Sequence, residues 1–196
     1  MRLFAALETP YTITEEINAW WQEAATHLAL GDWRDLPTKN WHLTLAFYGD
    51  VEGDEADDLA ESLLECASEA APIHLKTTGF GAFPRFMKPR VAWAGVDDLD
   101  DSGELKQLAR CCRRSGRATV RKRSAKENAF KGHITLARAN EFPTPIDAGM
   151  LAEMQPFPEL QWTAETLVLY QSTLRPDGAK YRKLETFELT KRRVRR

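Results

Sequence analysis

Two stretches of this 196-residue chain spell nearly the same thing: WHLTLAFYGD at 41–50 and GHITLARANE at 132–141. Both contain His-aliphatic-Thr-Leu-Ala, and the histidines, His42 and His133, lie 91 residues apart, about half the chain. A repeat at that spacing asks for two similar halves that descend from one unit. No linker rich in Gly, Ser or Pro divides them, so residues 1–196 read as a single domain.

Strand-like stretches fall at Arg2–Leu7, Trp41–Tyr48, Ile73–Thr78, Arg90–Val96, His133–Arg138, Glu165–Leu174 and Arg182–Leu189. Each is rich in apolar, β-branched or aromatic residues and is bounded by Gly, Pro or Asp. Helical periodicity appears between the early ones. Thr12 or Thr14 is placed to cap a helix carrying Ile13, Ile17, Trp20, Trp21, Ala24 and Leu28 on one face. An acidic second helix aligns Leu59, Leu63, Leu64 and Ala67. A third, from about Gly103 to Ser115, turns Leu105, Leu108 and Ala109 inward and Arg110, Arg113 and Arg114 outward. A short one follows Asp147. Strands interleaved with helices of this size predict an α+β fold.

Within the repeated strands, side chains alternate with a period of two. His42, Thr44 and Ala46 then share one face, while Trp41, Leu43, Leu45 and Phe47 point into a core. In the second copy His133, Thr135 and Ala137 share a face opposite Ile134 and Leu136. If a pseudo-two-fold axis relates the halves, the two His-Thr pairs meet across a cleft. In-line displacement at phosphorus uses such an arrangement, since attacking and leaving oxygens sit on opposite sides of the phosphorus. One imidazole removes a proton from water and the other gives one to the leaving alkoxide. Histidine suits both roles because its ordinary pKa lies near neutrality. The hydroxyls are suited to hold the non-bridging oxygens, and no metal ion or other cofactor is required. A single His-x-Thr on a strand is commonplace; two copies of a five-residue pattern are not. His27, in an amphipathic helix, and His74, alternating with Lys76, read as structural or solvated.

Composition narrows the setting. Hydrophobic residues make up 43%, with six Trp and nine Phe, enough for a sizeable core and too many for a disordered chain. A formal net charge of -2 and a pI near 6.1 exclude a globally basic nucleic-acid binder. The charges are nonetheless segregated. Nine acidic and no basic residues lie between Asp50 and Glu69, eleven Lys or Arg against Glu127 alone lie between Leu105 and Arg138, and KRRVRR ends the chain. A solvated helix face explains much of this. The basic segment 117–131 is expected to be a long loop that either reaches over the cleft or is a solvated insertion. Three cysteines cannot all pair internally, and none sits in a CxxC or Cys/His cluster, which suits a reducing cytoplasm and no zinc site. The absence of an apolar run of membrane-spanning length or of a signal-peptide pattern points the same way.

At these residues the chain resembles the two-histidine (2H) phosphoesterases, in particular the bacterial and archaeal RNA 2′,3′-cyclic phosphodiesterases (ThpR, LigT-like, also called 2′-5′ RNA ligases). RLFAALETP is similar to that family's opening strand, TKNWHLTLAFYGDV and FKGHITLAR to its two motifs, GAFPRFMKPRVAWAGV to its middle elements, and LVLYQSTLRPDGAKYRKLETFEL to its final hairpin. The resemblance implies a bilobal α+β fold, two antiparallel sheets flanking a central cleft with helices outside. It implies that His42 protonates the leaving ribose 3′-oxygen, that His133 activates water, and that Thr44 and Thr135 hold phosphate oxygens. The product is then a 2′-phosphate end, with 2′-5′ joining of RNA ends as the reverse reaction. Activity on 2′,5′-linked oligonucleotides or small cyclic nucleotides, or RNA-end binding without turnover, are the alternatives; the intact His and Thr pairs weigh against the last. The partner implied is RNA bearing a cyclic phosphate, met by a monomer away from membranes.

Two positions depart from simple expectation. Gly132 stands where the family has Pro, and glycine is expected to loosen the start of the second motif strand. Arg138 closes that motif as a phosphate contact, yet strict alternation puts it with Ile134 and Leu136. Only a strand end or a bulge returns it to the cleft. Phe47, Tyr48, Phe83, Phe86 and Trp93 are suited to stack on bases, but aromatic residues on strands more often fill cores, and none is singled out; Tyr170 and Tyr181 are undecided.

Overall fold

The computed structural model describes residues 1–31, 33–121, 129–140, 144–175 and 178–191. The elements run β1 (Arg2–Glu8), α1 (Tyr11–His27), β2 (Trp33–Asp35), a 3₁₀ turn (Thr38–Asn40), β3 (His42–Asp50), α2 (Gly53–Ser68), β4 (Ile73–Phe83), β5 (Val91–Asp98), α3 (Glu104–Thr119), β6 (His133–Ala139), α4 (Ala148–Ala152), β7 (Gln161–Ala164), β8 (Thr166–Arg175) and β9 (Gly178–Glu188). All seven expected strands are present. The two additional ones, β2 and β7, are three and four residues long, too short to display a period. Residues 122–128 of the basic stretch 117–131 and the tail 192–196 lie outside the described residues, and the stretch does not begin as a loop, since 117–119 continue α3 to Thr119.

Every pairing is antiparallel, in the order β7-β4-β5-β6-β3-β1-β8-β9 with β2 added to the side of β6. The order is symmetric about its centre: β3 answers β6, β1 answers β5, β8 answers β4. Among the described residues the central strands β3 and β6 pair through Leu43 opposite Ile134, which occupies the same position in both copies of the motif. The α+β class and the two flanking halves therefore stand, with the refinement that this pairing joins them into a nine-stranded whole.

Helices cover one face. Ile13, Ile17, Trp20, Trp21 and Ala24 of α1 are buried, at the spacing of a helical stripe. Neither Thr12 nor Thr14 caps α1. Pro10 precedes it, and the Thr14 hydroxyl instead donates to the Tyr11 carbonyl at 2.7 Å. In α2, Glu52 and Glu55 form a reciprocal capping box. α3 follows Gly103, whose φ of 79° favours glycine. Its face meets Tyr48 so closely that a Cβ on Gly116 would fall 2.5 Å from that ring. All three helices contribute to one continuous core that includes Leu43, Leu45, Ile134 and Leu136. Cys66 of α2 and Cys111 of α3 are joined in a disulfide, leaving Cys112 as a buried thiol. The odd cysteine count thus hid a pair that helix packing brings together.

Candidate active site

The sheet carries a cleft of about 1730 Å³. Its lining includes Phe4, Asn40, Thr44, Phe47, His133 and Arg138. His42 and Thr135 lie behind that lining, and His42 is held in an aromatic box. Phe4 stacks on the imidazole at 4.8 Å between centroids, Tyr181 meets it edge-on at 5.2 Å, and Tyr170 lies 6.0 Å away. On the other half His133 is met edge-on by Phe83 at 5.0 Å and by Trp93 at 6.2 Å.

Both rings are oriented by the same local device. His42 Nδ1 is 2.6 Å from the Asn40 carbonyl, and His133 Nδ1 is 2.7 Å from the Lys131 carbonyl, in each case the residue two positions earlier. A carbonyl only accepts, so each Nδ1 carries a proton and each Nε2 is left for proton traffic. Asn40 is itself anchored, its side-chain amide donating to the Ala179 carbonyl of β9 at 3.1 Å. In the sequence Asn40 is visible only as part of the motif; in the fold its two ends tie the His42 ring to the final hairpin.

Burial lowers both histidines. His42 is pushed down to about 4, chiefly by desolvation, opposed by its bond to Asn40 and assisted by the nearby His133. His133 is also lowered, again mainly by burial, with Lys131 and Arg138 adding to the shift. The hydroxyls of Thr44 and Thr135 are half-buried and make no side-chain hydrogen bond among the described residues. They remain available to an oxygen placed between them.

The strands depart from strict alternation at matching places. In β3, Ala46 pairs with Ala5 while Thr44 pairs with Ala6, so Leu45 is bulged out of the ladder. In β6, Ala137 pairs with Ala92 and Thr135 with Trp93, so Leu136 is bulged in the same way. Each bulge reverses the facing of the residues beyond it. Ala46 and Ala137 accordingly join the core, Ala46 still bordering the cleft and Ala137 not; Phe47, expected inside, is 60% exposed. Arg138 moves to the cleft, reached by the bulge that alternation alone forbade. His42, Thr44 and Phe47 in one half thus correspond to His133, Thr135 and Arg138 in the other.

Among the described residues no group of three or more His, Cys, Asp or Glu side chains is placed to hold a metal ion, and no helix is long and apolar enough to cross a membrane.

Comparison with known proteins places this geometry in company. The family described as LigT like Phosphoesterase matches residues 7–93. The chain is 32% identical to an RNA 2′,3′-cyclic phosphodiesterase of Thermus thermophilus, covering 96% of this chain and 90% of that one. A protein of the same description from Escherichia coli is 29% identical, over 96% and 97% of the two chains. Among solved structures, one from Thermus thermophilus superposes with a TM-score of 0.78 at 31% identity, covering 97% and 98% of the chains. Escherichia coli LigT complexed with 3′-AMP superposes with a TM-score of 0.74 at 28% identity, over the same shares.

Proposed function

The chain belongs to the LigT-like phosphoesterases, and on that footing we propose that it is a hydrolase opening 2′,3′-cyclic phosphate ends of RNA to 2′-phosphomonoesters. Its relatives carry the name RNA 2′,3′-cyclic phosphodiesterase. The observation that carries the reading is the matched pair of imidazoles, one from each half, each fixed through Nδ1 with Nε2 left over. We take the whole chain to act as one bilobal, monomeric unit, because neither half holds both rings.

The bond changes can be written from this arrangement. The His133 Nε2 takes a proton as a water oxygen forms its bond to phosphorus. The bond from phosphorus to the 3′-oxygen breaks, and the His42 Nε2, protonated in the bound complex, supplies the proton that oxygen needs. The 2′-oxygen keeps the phosphate. Thr44 and Thr135 hold the non-bridging oxygens, where charge shifts during the reaction, and Arg138 supplies a further phosphate contact along β6. Joining ends through a 2′-5′ linkage is the same chemistry with a ribose hydroxyl in place of water. A cleft of about 1730 Å³ exceeds the roughly 300–1,000 Å³ of a small-molecule pocket, which favours an oligonucleotide over a small cyclic nucleotide.

The test is chromatography of products from a synthetic RNA bearing a 2′,3′-cyclic phosphate. A 2′-phosphate end is expected, with turnover retained in EDTA because both proton transfers are made by imidazoles. His42→Ala and His133→Ala are each expected to lower kcat by about 10²–10⁴-fold while the far-ultraviolet circular dichroism stays unchanged. Full turnover in either variant, or its abolition by EDTA, overturns the assignment.

A further inference from the structure

Arg34 of β2 and Arg138 of β6 stand directly opposite each other in an antiparallel ladder. Directly opposed side chains share a face, their Cβ atoms about 4.5–5.5 Å apart, and like charges so placed repel. Both residues are exposed and both line the cleft. Among the described residues neither takes part in an ion pair. The acid nearest in sequence, Asp35, is turned away to α1, where it accepts from Trp21 Nε1 at 2.8 Å and from Gln22 at 3.0 Å. Two unneutralised guanidiniums are therefore held side by side on a strand three residues long, an arrangement that costs the empty protein stability and that an anion would relieve.

Resting on the reading that the cleft holds an RNA end, we propose that Arg34 and Arg138 form a second phosphate subsite, which grips a phosphodiester upstream of the cyclic end. Along β6, Arg138 lies five residues beyond His133, roughly 13–16 Å at the rise of a strand. It therefore reaches a phosphate other than the reacting one, while remaining close enough for its charge to act on His133. Two forked guanidiniums match the paired non-bridging oxygens of a phosphodiester. The equivalent position in the other half is Phe47, so duplication did not supply a second such pair. The consequence is a preference for oligonucleotides over mononucleotides.

The experiment compares a trinucleotide ending in a 2′,3′-cyclic phosphate with adenosine 2′,3′-cyclic monophosphate, which has no upstream phosphodiester. The wild-type protein is expected to favour the trinucleotide in kcat/KM, and Arg34→Gln to reduce that ratio about tenfold, with Arg34→Lys between them. The salt dependence of trinucleotide affinity is expected to become shallower by about 0.7 in log–log slope for the lost contact. The melting temperature of Arg34→Gln is expected to hold or rise, since repulsion with Arg138 is removed. An unchanged ratio, or a ratio of one or less in the wild type, overturns the subsite. So does a lowered melting temperature, which makes Arg34 a structural residue. If the wild type turns over neither substrate, the hydrolase reading fails instead. The subsite is then judged by fluorescence anisotropy of a labelled trinucleotide bearing a 2′-phosphate, where equal binding by Arg34→Gln overturns it.

Discussion

The chemistry of the site is set by what happens to single residues, above all to two imidazoles removed from water. Burial holds His42 down at about 4 and lowers His133 below the ordinary value of 6.5, so at pH 7 the empty cleft keeps both rings neutral. The proposed reaction needs one proton shared across the pair. In kcat/KM, which reports the free protein, the singly protonated form is most populated between the two macroscopic pKa values, both depressed. Its alkaline limb is therefore expected below pH 6.5, falling about tenfold per unit. A bound phosphodiester anion favours the imidazolium, so the alkaline limb of kcat is expected at higher pH than that of kcat/KM. Rate profiles from pH 4 to 8 check both; a kcat/KM limb above 6.5 would show that the rings are not desolvated in solution. Beside His133, Gly132 does the opposite of loosening the strand. A Cβ there would fall 2.2 Å from the Val96 carbonyl oxygen, while the Val96 amide donates to the Gly132 carbonyl at 3.0 Å. Gly132→Ala is accordingly expected to cost about 1–3 kcal/mol in denaturant unfolding and to lower kcat by displacing the neighbouring ring.

At the scale of elements, legibility divides along physical lines. The repeated motif, the strand faces at His42 and Thr44, and the helical stripes are all readable because each is a period written in residue type. The bulges at Leu45 and Leu136 are not, since a bulged leucine looks like any other, and that hides the true facing of Ala46, Phe47, Ala137 and Arg138. Nor does composition reveal the aromatic box of Phe4, Tyr170 and Tyr181, whose members come from β1, β8 and β9. The disulfide belongs to the same class. Cys66 and Cys111 are 45 residues apart in sequence, and only the packing of α2 on α3 joins them. Closing a loop of that length restricts the unfolded chain, so reduction, or Cys66→Ser, is expected to lower unfolding stability by about 2–4 kcal/mol, measured by denaturant titration with and without reductant. Burial pushes the Cys112 thiol up to about 12, so it stays protonated and does not compete for the bridge.

For the molecule as a whole, duplication has produced a site that neither half contains. Among the described residues β3 and β6 pair at Leu43 and Ile134, and the strands run antiparallel through that pair. Each copy thus directs its histidine toward the threonine of the other. Helices α2 and α3 and the continuous core beneath both halves fix their relative placement. A proton taken in by one half and given out by the other belongs to one transition state. Removing either imidazole breaks the same step, and removing the second has little left to break. We therefore expect the His42→Ala, His133→Ala double variant to be no slower than the slower single variant by more than about tenfold, although each single loss is about 10²–10⁴-fold. Losses that simply multiplied would mean two independent contributions to rate, one per half. Single-turnover kinetics on a cyclic-phosphate trinucleotide, with all variants saturated, separates the two outcomes. It does so without reference to which histidine is acid and which is base.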